Sequence, residues 1–282
     1  MHPCALGGLR CSSLRARELP FLYDRLFVGS QGFSGPVHRR LAIIAALERE
    51  VRPLVKDWSS VNVVHEQREF TFYEGEHAIV VCGGIGAEPA RRAAEAVISK
   101  YSPELLISAG VAGALVSDLN VGATIFPATV IDTQDGSRHE TAVHDAPVGN
   151  TAVGRTILAS YPEVARVAQK QQLAKSYGAH AVDMEAAAIA RAAQAHNLPF
   201  LAVKAISDDL DFELPETSRF IRDGRFDTTR FLLHIALRPW QWLRVIRLAR
   251  NTQTASENLC AWLRQSVLTN TIVPGSIVRH KS

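Results

Sequence analysis

The stretch AVDMEAAAIARAAQAHNLPFLAVKAISDDLD, residues 181–211, decides the fold. Its alanine-rich first half predicts a helix, because alanine has the highest intrinsic helix propensity and because Ile189 and Ala193 fall on one helical face. Asn197 and Pro199 then end the helical pattern.

Apolar runs on both sides of this helix predict strands. His180–Val182 reads as a short strand before the helix, and Phe200–Ile206 as a longer strand after it, broken by Ser207 and the aspartates that follow. We expect the two strands to be parallel and to form a βαβ unit with the helix. Near the start of the chain, LAIIAAL (41–47) is a continuous apolar run, as expected for a parallel strand that is covered on both faces.

Two carboxylates stand at special points of the unit. Glu185 falls in the first turn of the helix, where the helix dipole keeps a carboxylate ionised. Asp208 follows the strand end, where open α/β sheets place their ligands, and Asp209 and Asp211 surround it with like charges. An anion can stabilise a developing cation, and a carboxyl group among like charges can deliver a proton. The alternative is structural: Glu185 compensates the dipole and Asp208 is an ordinary cap.

The motifs VDMEAAAIA and PFLAVKAISDDLD resemble the signature of the nucleoside phosphorylase and nucleosidase superfamily, above all its methylthioadenosine/adenosylhomocysteine nucleosidases. The resemblance implies that Met184 and Glu185 bind the ribose, with Glu185 on its hydroxyls. It also implies that Asp208, held by Ser207, protonates the purine as the purine leaves. Lys204 stands where the nucleosidases have arginine, and we expect it to contact the substrate.

Three further segments carry the same resemblance. LAIIAALEREV is similar to the N-terminus of the nucleosidases, which implies that Glu50 positions the attacking water. From the residues alone, the simpler interpretation of Glu50 is a surface acid at a helix N-terminus. The glycine-rich turn with Gly84 and Gly86 is expected to line the ribose or phosphate side of the site. In the motif SAGVAG, Gly110 leaves room for a ligand and Val111 replaces a serine of the family.

The resemblance also implies the architecture, a single-domain three-layer α/β/α fold with a central mixed, mostly parallel sheet. We expect residues 1–40 to be a poorly ordered extension, 41–265 to be the catalytic domain, and 266–282 to be a tail. The remaining predicted elements are strands at Glu69–Tyr73, His77–Cys82, Glu104–Ser108 and Thr156–Ala159, a strand pair in Val121–Asp132, and helices at Pro89–Lys100 and Pro162–Tyr177.

Other stretches suggest contacts outside this core. Lys170 and Lys175 are expected on the solvent side of the helix 162–177. The polar segment Gln134–His144 is either a bare surface loop or, through Arg138 and His139, a contact for substrate or phosphate. The segment Phe212–Asp227 is a candidate lid over the site.

The last helical region, from Thr228 to about Gln265, contains LRPWQWLRVIRLAR (237–250). Tryptophans and arginines that border a leucine-rich face suit peripheral contact with a membrane. The alternative is a helix that packs on the sheet or on a dimer partner.

Composition excludes several classes of protein. The 282 residues are 47% hydrophobic and 21% charged, which excludes disorder throughout, and a net charge of +3 is too small to indicate nucleic-acid binding. Cys4, Cys11, Cys82 and Cys260 lack zinc-like spacing, so we expect free thiols in a reducing cytoplasm. The C-terminal basic helix leaves a peripheral location at the inner membrane open as the alternative. No metal or organic cofactor is implied, and the family implies a homodimer.

Three functions are compatible with these features. The first is hydrolysis of the N-glycosidic bond of an adenine nucleoside, with release of adenine. The second is phosphorolysis of a lipid-linked adenine nucleoside, because the segment VARVAQKQQLAKSYGAHAVDME and the Arg/Trp-rich C-terminus also resemble the hopanoid-associated phosphorylases. The third is a nucleoside-binding protein without catalysis, although such a protein has little need for a general acid.

Overall fold

The computed structural model describes residues 41–142, 156–214, 218–222, 224–236 and 238–268. The expected extension 1–40 lies outside the described residues. Within them the strands are β1 Leu41–Ala45, β2 Ser59–His65, β3 Arg68–Glu74, β4 Ala78–Cys82, β5 Leu105–Ala114, β6 Thr124–Ile125, β7 Thr129–Asp132, β8 Arg138–Glu140, β9 Ile157–Ser160, β10 Ala181–Asp183, β11 Phe200–Asp208, β12 Ile221–Arg222 and β13 Arg225–Phe226. The helices are α1 Glu48–Val55, α2 Ala87–Tyr101, α3 Val167–Tyr177, α4 Ala186–Ala195, α5 Thr228–Ala236 and α6 Pro239–Leu268.

The sheet is built around β5, which is longer than predicted. Its first half pairs in parallel with β1, and β11 pairs in parallel with most of its length. The strand order is β2-β3-β4-β1-β5-β10-β9-β7-β8, and β11 lies on the other edge of β5, where it also pairs with β6. Parallel and antiparallel pairs both occur, so the expected mixed sheet is confirmed.

Helices cover both faces of this sheet. The alanine-rich helices α2 and α4 pack on one face, and α1 and α6 pack on the other, each against its own buried apolar cluster. All five residues of β1 are buried, because both of its faces are covered. The three-layer α/β/α architecture is therefore confirmed.

The parallel βαβ prediction for β10, α4 and β11 is wrong. Both strands pair with β5, but β10 runs antiparallel to it through Ala181 and Val182, while β11 runs parallel. The reason is that β5 extends past the end of β1 and offers its second half to β10. β11 also continues through Ser207 and Asp208, which were expected to break it.

The C-terminal region also differs from the prediction. It forms two helices, α5 and α6, and α6 continues to Leu268, into the segment expected to be a tail. Residues 269–282 lie outside the described part. No helix in the described residues is long and apolar enough to cross a membrane.

Candidate active site

A cavity of about 690 Å³ opens at the carboxyl ends of the central strands β1, β5 and β11. Such strand ends are where open α/β sheets bind ligands. Its walls contain most of the residues that the sequence predicted for the site: Glu50, Gly110, Val111, Met184, Glu185, Lys204, Ser207 and Asp208. The elements β5, α1, β11 and the β10–α4 turn thus bring together residues that are far apart in the sequence.

The side chain of Glu185 is oriented by Gly86, which lies just before α2. Glu185 is the N-cap residue of α4, and its Oε1 accepts a hydrogen bond of 2.8 Å from the backbone N–H of Gly86. Gly86 precedes α2 with φ of 99°, a conformation that favours glycine. The backbone N–H of Met184 also donates to the carboxylate, at 3.3 Å. Gly86 therefore acts through Glu185, although its own atoms are not part of the cavity wall.

The expectation that the helix dipole keeps Glu185 ionised is wrong. Burial, and then the neighbouring carboxylate of Asp183, raise the pKa of Glu185 to about 7, while Lys204 and the Gly86 N–H act in the opposite direction. The first turn of α4 is bound by Asp183 instead. Its Oδ2 accepts a hydrogen bond of 2.9 Å from the backbone N–H of Ala186. Glu185 is the N-cap residue, but its side chain makes no capping hydrogen bond to the helix.

Asp183 and Lys204 form a buried ion pair at the base of the cavity. Lys204 Nζ lies 2.9 Å from Asp183 Oδ2, and both side chains are almost fully buried. The hydroxyl of Ser160 donates to Asp183 Oδ1 at 2.6 Å. Burial opposes the charged form of Lys204, but the carboxylates around it raise its pKa. Lys204 therefore lines the cavity as a paired ammonium.

Glu50 faces this ammonium from α1. It is only 5% exposed, and burial raises its pKa, although Lys204, Arg49 and two backbone N–H groups counteract part of that effect. A Cβ at Gly110 would lie 3.1 Å from Glu50 Oε2 and 3.7 Å from Lys204 Nζ. Glycine at position 110 therefore leaves the space in which these two side chains reach the cavity.

Asp208 has a partner that the sequence analysis did not identify. Its Oδ1 accepts a hydrogen bond of 2.7 Å from the Ser207 hydroxyl, and its Oδ2 accepts one of 2.5 Å from Lys170 Nζ. The charged group in contact with Asp208 is thus Lys170, whereas the neighbouring Asp209 pairs with Arg247 at 3.1 Å. The expected effect of the neighbouring aspartates on Asp208 stays a prediction.

Lys170 was expected on the solvent side of its helix, and it is fully buried. The signal was present in the sequence, because Lys170 lies three residues after Val167 and three before Leu173, on the face of α3 that packs against the protein. Lys175 is exposed, as expected.

Other candidates lie outside the cavity wall. Gly84 sits beneath the β12–β13 hairpin, where an added Cβ would lie 2.7 Å from the carbonyl oxygen of Gly224. Arg138 and His139 lie on β8 and are not part of the described wall, so their expected role in binding substrate or phosphate has no support in the structure.

The outer wall of the cavity is mostly apolar. Val111 contributes from β5, where the related motif has serine, so no hydroxyl is present at this position. The outer wall is completed by side chains of the β12–β13 hairpin, α5, α6 and the segment after β11: Leu214, Ile221, Phe226, Phe231, Val245, Leu248 and Ala249. The cavity wall thus combines carboxylates with apolar side chains that suit an apolar group of a ligand.

Sequence comparison assigns the family. The sequence profile of the phosphorylase superfamily matches residues 40–149 and 136–233. The chain belongs to the phosphorylase superfamily. The match includes every predicted site residue and ends before α6, so the superfamily profile does not account for this helix.

Curated relatives of this superfamily member include 5'-methylthioadenosine/S-adenosylhomocysteine nucleosidases. The protein from Bacillus licheniformis is 27% identical over 60% of this chain and 85% of its own length. The protein from Staphylococcus aureus strain MRSA252 is 28% identical over 60% of this chain and 86% of its own length.

Solved structures share the fold. The Arabidopsis thaliana 5'-methylthioadenosine nucleosidase superposes with a TM-score of 0.63 at 18% identity, covering 83% of this chain and 96% of that one. The futalosine hydrolase of Helicobacter pylori superposes with a TM-score of 0.62 at 17% identity, covering 83% of this chain and 98% of that one. At these identities the similarity establishes the fold alone.

Proposed function

We propose that this superfamily member hydrolyses the N-glycosidic bond of an adenine nucleoside of the methylthioadenosine/adenosylhomocysteine type and releases adenine. The observation that carries the proposal is the convergence of three carboxyl groups, those of Glu50, Glu185 and Asp208, on one cavity. The curated nucleosidase relatives support the same reaction. Cleavage of this bond builds positive charge on the ribose and negative charge on the departing purine. An ionised carboxylate can stabilise the first, and a protonated carboxyl group can neutralise the second by proton transfer.

Glu185 is proposed to hold the ribose hydroxyls. Its position between the Gly86 N–H and the Asp183–Lys204 pair fixes the side chain at the cavity wall. As the sugar becomes oxocarbenium-like, the carboxylate stabilises the developing charge through those hydroxyls. Met184, which lies beside it in the wall, packs against the sugar.

Asp208 is proposed as the general acid. The Ser207 hydroxyl and Lys170 hold its two oxygens, so the carboxyl group has a fixed orientation. Proton transfer from Asp208 to N7 of adenine lets the base depart neutral, and a positioned general acid contributes about 10²- to 10⁴-fold to such reactions.

Glu50 is proposed to orient the attacking water. Its carboxyl group approaches Gly110 in the cavity wall, and the neighbouring Val111 has no hydroxyl that could bind the water. Water as nucleophile is supported by the pairing of Lys204, which acts more strongly on Glu50 than Arg49 does, with Asp183. A phosphate dianion in the same place would face two carboxyl groups.

A second candidate is phosphorolysis of a lipid-linked adenine nucleoside at a membrane surface. The observation that favours it is α6, which contributes Val245 and Leu248 to the apolar cavity wall. The same helix leaves Trp240 70% exposed and Leu243 80% exposed. Exposed tryptophan and leucine beside arginines suit an anionic bilayer, and Arg244 lies next to them.

The first experiment measures adenine release from methylthioadenosine by the purified protein, with and without phosphate. Hydrolysis predicts release in phosphate-free buffer. Release only in the presence of phosphate supports the second candidate. No release, combined with tight nucleoside binding, supports a binding protein without catalysis. The substitutions Glu185→Gln and Asp208→Asn should each abolish most of the turnover, while Asp211→Asn, at an exposed aspartate nearby, serves as the matched control.

The membrane contact has its own test. Sedimentation with vesicles of anionic phospholipid should recover the protein, and vesicles of neutral lipid should not. The double substitution Trp240→Ser and Leu243→Ser should abolish recovery, while Val64→Ser, at a 71% exposed apolar residue on β2, should leave it unchanged. The proposed homodimer is tested by light scattering during gel filtration.

A further inference from the structure

The Lys170–Asp208 pair is, beside Asp183–Lys204, a second ion pair with a buried ammonium. Lys170 Nζ donates to Asp208 Oδ2 at 2.5 Å and to the backbone carbonyl oxygen of Asp209 at 2.7 Å. The side chain of Lys170 is 1% exposed and that of Asp208 is 5% exposed. A buried ammonium is tolerated only with good partners, so the structure holds this lysine to one carboxylate.

Gly113 provides the space for this pair. A Cβ at position 113 would lie 2.9 Å from Asp208 Oδ2 and 3.4 Å from Lys170 Cε. The first distance is shorter than carbon and oxygen tolerate, so even alanine here would displace the carboxylate or the lysine. The pair thus depends on two elements, α3 for the lysine and β5 for the glycine.

The contacts divide the two oxygens of Asp208 between two tasks. Oδ2 is held by Lys170, whose side chain also lines the cavity and donates a second hydrogen bond to the Asp209 carbonyl oxygen, and Oδ1 is held by the hydroxyl of Ser207. Because the buried ammonium occupies Oδ2, we assign Oδ1 as the oxygen that carries the transferable proton. Lys170 also brings a positive charge to a carboxyl group that the proposed reaction converts from its acid form to its anion.

We propose that Lys170 is a positioning residue for the general acid, and this inference rests on the proposed function. In the step, the O–H bond at Asp208 Oδ1 breaks and an N–H bond forms at N7. The electrons of the C1′–N9 bond move into the purine, which leaves neutral. The negative charge that remains on Asp208 meets the ammonium of Lys170, which keeps its own protons. Lys170 thus stabilises the carboxylate formed in the step and keeps Oδ1 turned towards N7.

The test compares turnover with binding. Turnover is measured as kcat for adenine release from methylthioadenosine. Binding is measured by calorimetry with the 7-deaza analogue 5'-methylthiotubercidin, which has a carbon at position 7 and cannot be protonated there. Lys170→Met should lower kcat about 10²-fold, within the usual range for loss of general-acid catalysis, and should leave the dissociation constant of the analogue within threefold. Lys170→Arg, which keeps the charge, should recover part of the lost turnover.

Two further variants complete the design. Lys175→Met changes an exposed lysine of the same helix and should behave like the wild type. Gly113→Ala disturbs the pair from β5 and should give the same combination of lost turnover and retained binding. It keeps the test decisive if Lys170→Met does not fold.

Wild-type kcat in Lys170→Met, or equal losses of turnover and analogue binding in both Lys170→Met and Gly113→Ala, would overturn the inference. These results differ from a failure of the proposed function, in which the wild-type protein itself would release no adenine from any nucleoside.

Discussion

Replacement of Glu185 by glutamine should make the protein more stable and less active. Glutamine has the same shape as glutamate, and its carbonyl oxygen can still accept the hydrogen bond from Gly86. It removes the ionisation of a buried group that lies among Asp183, Glu50 and Lys204, and with it the acceptor of the 3.3 Å hydrogen bond from the Met184 N–H. If ionisation of buried Glu185 lowers the free energy of unfolding of the wild type, the variant should not show this loss.

The size of the effect follows from the pKa of Glu185. Burial and Asp183 raise it from 4.5 to about 7, so the folded protein retains a proton that the unfolded chain has already released. Stability contributed by this group is therefore lost as the pH rises through the window between these two values. At about 1.4 kcal/mol per pKa unit, wild type loses about 3 kcal/mol between pH 4 and pH 8 because of this residue.

The assay is urea unfolding followed by circular dichroism at several pH values from 4.5 to 8. The free energy of unfolding of Glu185→Gln minus that of wild type should be near zero at the acid end and about 3 kcal/mol at the alkaline end. Glu213→Gln, at an exposed glutamate after β11, is the matched control and should give a difference that is flat with pH. Adenine release by Glu185→Gln should fall at every pH.

Two results would refute the reasoning. A difference that does not change with pH would show that Glu185 titrates alike in the folded and unfolded chains. A difference that becomes negative at high pH would show that Glu185 is an ionised partner of Lys204 and stabilises the fold, as the helix-dipole argument from the sequence expected.

Three other substitutions have definite expected results. Lys204→Met leaves Asp183 without its buried partner and should lower the free energy of unfolding by about 3–5 kcal/mol at pH 7, measured by urea unfolding. Gly110→Ala places a methyl group 3.1 Å from Glu50 Oε2, so kcat for adenine release should fall about tenfold or more. Leu263→Ala, at a fully buried position of α6, should cost about 2–5 kcal/mol of stability and leave kcat unchanged.

A helix or strand was predictable wherever its own residues show a clear hydrophobic pattern. β1 and α4 were identified because a continuous apolar run and an alanine-rich periodic run leave little choice of structure. β2 was missed because most of its residues are exposed on both faces, so no alternation marks it. The predicted direction of β10 was wrong because it depends on how far β5 extends beyond β1. That length is a property of the whole sheet and cannot be read from residues 180–182.

The site was predictable only in part, for a related reason. Glu50, Glu185 and Asp208 were identified through motifs, and the structure brings them to one cavity. The side chains that contact these carboxyl groups were not predictable, because they are distant in sequence. Lys170 lies 38 residues before Asp208, and no local rule connects the two. An expectation built on adjacent residues, such as Asp209, therefore did not identify this partner.

The electrostatics of the cavity favour a cationic transition state. Glu50, Asp183 and Glu185 surround a single ammonium, that of Lys204, so the resting cluster has more carboxyl groups than positive charges to balance them. Burial and this excess of carboxyl groups raise the pKa of Glu185, and burial raises that of Glu50, so ionisation of these groups lowers the stability of the resting protein. An oxocarbenium-like ribose would supply the missing positive charge at the moment it forms, so the same carboxyl groups would stabilise the transition state more than the ground state. Residues that weaken the fold are then the ones that serve the reaction, which is why Glu185→Gln should gain stability as it loses turnover.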